Sequence, residues 1–214
     1  MTDFPLVPAG RHPLSRQGPL AWWDRAVPPK YLHREEVHRV LERAKSPRDH
    51  LLANLLWQDG ARISEQLVVR PLDFDRLNRR VRLKTYKTRR QTGANAAGSR
   101  KLIPDRHVPI KDALLGEVFD FAYRHKVAET DRLFTFGRGR AHQILSDMML
   151  RAGVDPEKAH PHTLRHSFAV NCLMSGVPIL VLQRWLGHAS IFSTLVYLKV
   201  AEPDADPLFG RVEF

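Results

Sequence analysis

The sequence predicts a mainly α fold carrying one small antiparallel β-sheet (α+β). Three observations lead there. Apolar residues recur at three- and four-residue intervals along most of the chain, the period shortens to two only around 80–85 and 106–110, and glycine or proline separates the periodic runs. With 214 residues, 43% hydrophobic and 27% charged, the chain has the size and composition of one packed domain with a short appendage, which excludes collagen-like and wholly disordered classes.

Residues 1–30 carry Pro5, Pro8, Pro13, Pro19, Pro28 and Pro29, so few backbone donors serve regular structure and an extended, Pro-rich arm is expected. Leu32, Val37, Val40, Leu41 and Ala44 then fall at helical intervals over 31–44, with Glu35 and Glu36 in the first turn where the helix dipole favours them. Leu51, Leu52, Leu55, Leu56 and Trp57 repeat the pattern over 48–58, Gly60 terminates it, and a further short helix begins near Arg62. After Pro71, Val81, Leu83 and Thr85 alternate with Arg80, Arg82 and Lys84; a second run, 106–110, follows a small-residue loop at 92–99, which predicts a hairpin with a long connection. Helical spacing returns over 112–126 and 138–152, and then over 162–175, 178–186 and 190–200, with breaks at Gly176-Val177-Pro178 and Gly187-His188. Leu182, Trp185 and Leu186 read as core. No internal repeat is present.

The net charge of +11 is concentrated. Between Arg76 and Lys111 stand twelve Lys/Arg and one acid, Asp105, while the 22 bases and 22 acids elsewhere cancel. A local basic stretch in an otherwise neutral domain suits a polyanion, with a nucleic-acid backbone first, an anionic membrane surface second, and a solvated loop as the plain alternative. The lone Cys172 sits in an apolar run and reads as a small buried thiol in a reducing compartment. The N-terminal stretch has neither a signal-like apolar region nor a 20-residue apolar span, so a cytoplasmic protein with no membrane partner is expected, nucleoid-associated where the polyanion is DNA.

The candidates for chemistry are Arg62 at a helix start, Lys84 and Lys87 on the basic hairpin, His162 and Arg165 one turn apart on one helix face, His188 after a glycine, and Tyr197. Forked guanidinium donors, imidazole proton carriers and a phenol nucleophile suit a phosphodiester, and the set requires no metal or cofactor. His160, His162 and His166 also admit a zinc reading, against which stand the missing fourth ligand and the cationic Arg165 among them. His166 reads as a buried, hydrogen-bonded neighbour, Glu65 as a carboxylate able to fix Arg62 or as an ordinary surface acid, and His188 alternatively as a helix cap.

The ordered block from His162-Thr-Leu-Arg165-His-Ser-Phe through Leu186-Gly187-His188 to Tyr197 closely resembles the catalytic signature of the tyrosine recombinase (phage integrase) family, and Gly60-Ala-Arg62-Ile-Ser-Glu65 is similar to that family's first arginine box. The resemblance implies a recombinase catalytic domain over 31–200. Tyr197 would attack the scissile phosphate to give a 3′-phosphotyrosyl link. Arg62 and Arg165 would hold the non-bridging oxygens, His162 would carry the tyrosine's proton, and His188 would bond the phosphate or position the nucleophile. A hairpin lysine would protonate the leaving 5′-oxygen; Lys87, in a Tyr-Lys-Thr context, matches better than Lys84, and strand alternation puts the two on opposite faces.

The implied function is site-specific DNA recombination, by integration, inversion or resolution. A DNA-binding regulator or accessory subunit with the same fold, and a type IB topoisomerase-like relaxing enzyme, are the alternatives. Arg79, Arg80, Arg82, Lys84, Arg89, Arg90, Arg100 and Lys101 are the candidate double-stranded DNA contacts. The expected assembly is a homo-tetramer on DNA, a dimer per recombination site, from a chain that is monomeric or weakly associated when free. Residues 1–30 are too few for the helical domain that completes the DNA clamp in longer members, so an accessory DNA-binding protein is a further candidate partner. Residues 201–214 form a tail whose Leu208, Phe209 and Phe214 are available to dock in trans, the alternative being a terminus with a local contact.

Overall fold

In the computed structural model, residues 27–84 and 105–200 are described. The expected arm through residue 26, the residues Lys87, Arg89, Arg90, Arg100 and Lys101, and the tail 201–214 lie outside the described residues.

The core is organised around a helix that is apolar on most of its circumference. Ser46 accepts the Asp49 N–H at 3.2 Å and Pro47 occupies the first helical position, so helix α2 (Pro47–Asp59) starts sharply, after α1 (Arg34–Glu42). Leu51, Leu52, Ala53, Leu55 and Leu56 are all buried. Around α2 pack α1, α3 (Ile63–Gln66), α4 (Asp112–Arg124), α5 (Arg138–Arg151) and α6 (Pro161–Met174). The one polar stripe of α2 is matched across the α4 seam: His50 Nδ1 and Asn54 Nδ2 each lie 2.6 Å from Glu117, and Gln58 donates to Asn54.

A 3₁₀ turn at Pro71–Asp73 leads into a three-stranded antiparallel sheet, β1 (Phe74–Asp75), β2 (Arg80–Leu83) and β3 (Arg106–Pro109), in that spatial order. Strand β1 is absent from the sequence reading because two residues cannot display a period of two. Val81 pairs with Val108 and Leu83 with Arg106, and burial alternates along both strands. Val81, Leu83 and Val108 enter the core. On the other face, buried Asp73 accepts from Arg70 and Arg82 and lies 3.9 Å from Lys84. Burial opposes its ionisation, and the hydrogen bonds from Arg70 and Arg82 outweigh this and hold the carboxyl below its usual range. Two of the basic residues read as DNA contacts, Arg82 and Lys84, therefore brace the sheet. Arg79 pairs with Asp112 at the surface and Arg80 is exposed.

The C-terminal half continues with α7 (Ile179–Leu186) and α8 (Phe192–Leu195), followed by a 3₁₀ turn, Val196–Lys199. The single helix expected over 190–200 is thus split. Its last turn tightens to i→i+3 bonds, as helix termini commonly do, and Tyr197 lies inside that turn. The chain enters the domain against α6: Leu32 N–H donates to Ser167 Oγ, which donates in turn to the Thr163 carbonyl, both at 2.8 Å. Burial pushes the Cys172 thiol up to about 12, so it is an inert core group at neutral pH. Among the described residues no helix is long and apolar enough to cross a membrane.

Candidate active site

An α-helix ends with carbonyls that lack an intrahelical partner and with the negative end of its dipole. Helix α7 presents three such carbonyls in succession, each to a different arginine. Trp185 O accepts from Arg106 Nε at 2.7 Å, Leu186 O from Arg165 Nη2 at 2.6 Å, and Gly187 O from Arg62 Nη2 at 3.4 Å. The three guanidiniums come from β3, α6 and the N-terminal edge of α3.

Like charges drawn together need a counterion, and Glu65 supplies it. Its carboxylate takes Arg106 through two bonds of 2.8 and 2.6 Å and Arg62 at 2.9 Å, and it also accepts the Arg62 N–H at 2.7 Å. Burial would raise its pKa, but the bonds and charge of Arg106, with those of Arg62, win and hold it at about 2. Arg165 is buried and anchored without a carboxylate: Nη1 donates to the Gly60 carbonyl at 2.5 Å. Desolvation first, then Arg62 and Arg106, lower its pKa to about 10, which leaves it cationic at neutral pH.

Two glycines make these approaches possible. Gly60 has φ +61°, and a Cβ there would stand 2.2 Å from the Phe168 ring. Gly187 has φ +64°, and its Cβ would meet the Arg106 guanidinium at 3.1 Å. The left-handed Gly187 also lets the His188 N–H close back on the Gln183 carbonyl, so the end of α7 is capped by the His188 backbone while its ring serves elsewhere.

Tyr197 is 2% exposed, and its hydroxyl lies 2.9 Å from His166 Nδ1. The His188 ring runs within 6° of parallel to the Tyr197 ring at 6.4 Å, and its Nδ1 is 3.0 Å from Thr194 Oγ1. His162 stacks on the His166 ring at 6.3 Å. Burial raises the Tyr197 pKa while Arg165 and Arg62 pull against it. Desolvation, reinforced by cationic and histidine neighbours, lowers His162, takes His166 to about 4 and His188 to about 3. All three imidazoles are neutral near pH 7, so His166 can accept a proton.

Arg62, Arg165, His188 and Tyr197 therefore come together as the sequence places them, with Glu65 on Arg62. The atom that meets the phenol belongs to His166, read from sequence as a structural neighbour, instead of to His162. Lys84 faces Asp73, and Lys87 lies outside the described residues. The sequence reading missed Arg106, counted there only as part of the basic excess. Its signal was present: strand parity puts it on the face of Val108, and a buried arginine demands a carboxylate. Among the described residues no group of three His, Cys, Asp or Glu side chains could hold a metal ion.

The chain is similar to known proteins in both sequence and fold. A resolvase of Escherichia coli is 32% identical over 192 residues, covering 80% of this chain and 74% of its own. The tyrosine recombinase XerA of Pyrococcus furiosus is 31% identical over 185 residues, covering 80% of this chain, which spans 58% of that protein. Among solved structures, a XerA recombinase superposes with a TM-score of 0.68 at 24% identity, covering 88% of this chain and 67% of its own. The catalytic domain of bacteriophage HP1 integrase gives 0.63 at 23% identity, covering 85% and 94%. The model of the phage integrase family matches residues 30–203. With that match spanning most of its length, the chain belongs to the phage integrase family.

Proposed function

We propose that the protein is a site-specific DNA recombinase that cuts and rejoins strands through Tyr197. The observation that carries this reading is the Tyr197 hydroxyl on a neutral imidazole, His166, beside the three-arginine cluster. In this mechanism the phenol oxygen attacks the scissile phosphorus as its proton passes to His166 Nδ1. The bond to the 5′-oxygen breaks, leaving a 3′-phosphotyrosyl link and a free 5′-hydroxyl. Arg62 and Arg165 stabilise the non-bridging oxygens as charge accumulates. His188 positions the Tyr197 ring from its stacked place, and His162 serves the phosphate or relays the proton beyond His166.

Lys87 protonates the leaving oxygen, since Lys84 is drawn to Asp73. Because the phosphotyrosine retains the energy of the broken bond, rejoining needs no nucleotide. Arg79, Arg80, Arg89, Arg90, Arg100 and Lys101 grip the DNA backbone while Arg82 and Lys84 stay on Asp73, and two protomers per site make a tetramer at synapsis. The names of the relatives, a resolvase and tyrosine recombinases, support the substrate class.

A nicked suicide substrate carrying the chain's flanking DNA tests the reading. Wild type is expected to form a covalent adduct and Tyr197→Phe none; an adduct that persists in Tyr197→Phe overturns it. Strand exchange between two such sites separates a recombinase from an accessory subunit, and relaxation of any supercoiled plasmid would favour the topoisomerase alternative.

A further inference from the structure

One ionisable group beside the arginine cluster has no part in the mechanism above. Asp59, the last residue of α2, is completely buried. Its Oδ1 accepts the Ala61 N–H at 2.8 Å, an Asx-type turn that fixes the two peptides after it. Both of those peptides serve the site. The Gly60 carbonyl holds Arg165, and the turn delivers Arg62 to the start of α3, where its N–H meets Glu65. The other carboxyl oxygen, Oδ2, has no hydrogen-bond partner among the described residues.

The charged groups that face Asp59 are Arg106 from β3, Glu65 from α3 and Arg165 from α6. Burial lifts its pKa to about 7, Glu65 adds to the rise, and the Ala61 N–H, Arg106 and Arg165 offset only part of it. With Asp59 neutral, Glu65 is the carboxylate that meets Arg62 and Arg106 among the described residues; with Asp59 ionised, a further negative charge stands behind the cluster. An arriving phosphate brings negative charge to the same guanidiniums, so it competes with the Asp59 carboxylate, and phosphate occupancy and Asp59 protonation must be linked in both directions.

We propose that Asp59 is a positioning residue of the strand-transfer site, fixing the Gly60 turn that anchors Arg165 and setting the charge against which the arginine cluster receives a DNA phosphate. The proposal rests on the reading of the site as a DNA strand-transfer centre. Asp59→Asn retains an acceptor for the Ala61 N–H and removes the titration; Asp59→Ala removes both.

In single-turnover cleavage of the suicide substrate, the ratio of the Asp59→Asn rate to the wild-type rate is expected to rise by about fivefold between about pH 6 and about pH 8, the effect of about one pKa unit of coupling on a group that titrates near 7. Asp59→Ala is expected to lower the maximal rate at every pH with a smaller change in DNA affinity. A purely structural Asp59 would shift the melting temperature and leave the rate ratio flat, which overturns the proposal. Calorimetric titration of the full chain with the same DNA, in buffers of different ionisation heat and in a Tyr197→Phe background, decides the matter without cleavage. Near pH 7 binding is expected to take up protons, and Asp59→Asn is expected to reduce that uptake. Equal uptake in both overturns the linkage, whereas a wild type that takes up protons but forms no adduct refutes only the strand-transfer reading.

Discussion

His166 Nδ1 and the Tyr197 hydroxyl lie 2.9 Å apart, while His162, one helical turn before His166, stacks its ring on that of His166. A general base within hydrogen-bond reach contributes about 10²–10⁴-fold to a proton transfer. His166→Ala is therefore expected to slow adduct formation by about 10²-fold or more at saturating DNA, and His162→Ala by less. Single-turnover rates with matched Kd measurements check this, and a larger loss in His162→Ala would reverse the assignment.

Glu65 neutralises two of three clustered arginines from a buried position. Removing one partner of a buried ion pair leaves an uncompensated charge at a cost of about 3–5 kcal/mol. Glu65→Gln is expected to lower stability by an amount of that order and to abolish cleavage with it, read as a drop in the urea midpoint at neutral pH.

Stability is expected to fall with acid well before the carboxylates titrate. His166 and His188 have folded pKa values of about 4 and about 3, below the ordinary 6.5, so their contribution is complete above about pH 6.5 and is lost as the pH falls through those values. Asp59 acts with the opposite sign: its folded pKa of about 7 lies above 3.8, so the native state holds its proton between those values. For these three groups, two extra protons on the unfolded chain against one on the native chain contribute a slope of about 1.4 kcal/mol per pH unit between about pH 6 and about pH 4, to which the lowered His160 and His162 add and which the raised His50 opposes. Below about 4.5 Glu65 steepens the loss. Urea unfolding across this range measures the slope, and a flat profile would show that the histidines are solvated in the native state.

Gly60→Ala tests the tight approach under the site. The left-handed φ and the Phe168 ring together are expected to cost at least about 2 kcal/mol and to disturb the Arg165 anchor. Thermal melting and the cleavage rate are expected to fall together; a variant with wild-type stability and rate would refute the packing argument.

The helices were legible because their apolar spacing is local, and Arg62, Arg165, His188 and Tyr197 because their order along the chain is distinctive. What the sequence concealed depends on contacts across the fold. Arg106 meets Glu65 from 41 residues away, His166 meets Tyr197 from 31, and Asp59 becomes unusual only because the core closes over it. The charge that looked uniform along the hairpin divides for the same reason: Arg106 is enclosed with Glu65 and Arg82 is bound to Asp73, while Arg80 remains exposed at the surface.

The three successive carbonyls of Trp185, Leu186 and Gly187 act as a ruler. Consecutive α-carbons are separated by about 3.8 Å, a spacing fixed by covalent geometry and beyond the reach of any side-chain replacement. The relative placing of the three guanidiniums is thereby indexed to chain length at the end of α7. Inserting or deleting one residue between positions 185 and 187 would put Arg165 and Arg62 out of step with Arg106, even if each remained present and charged.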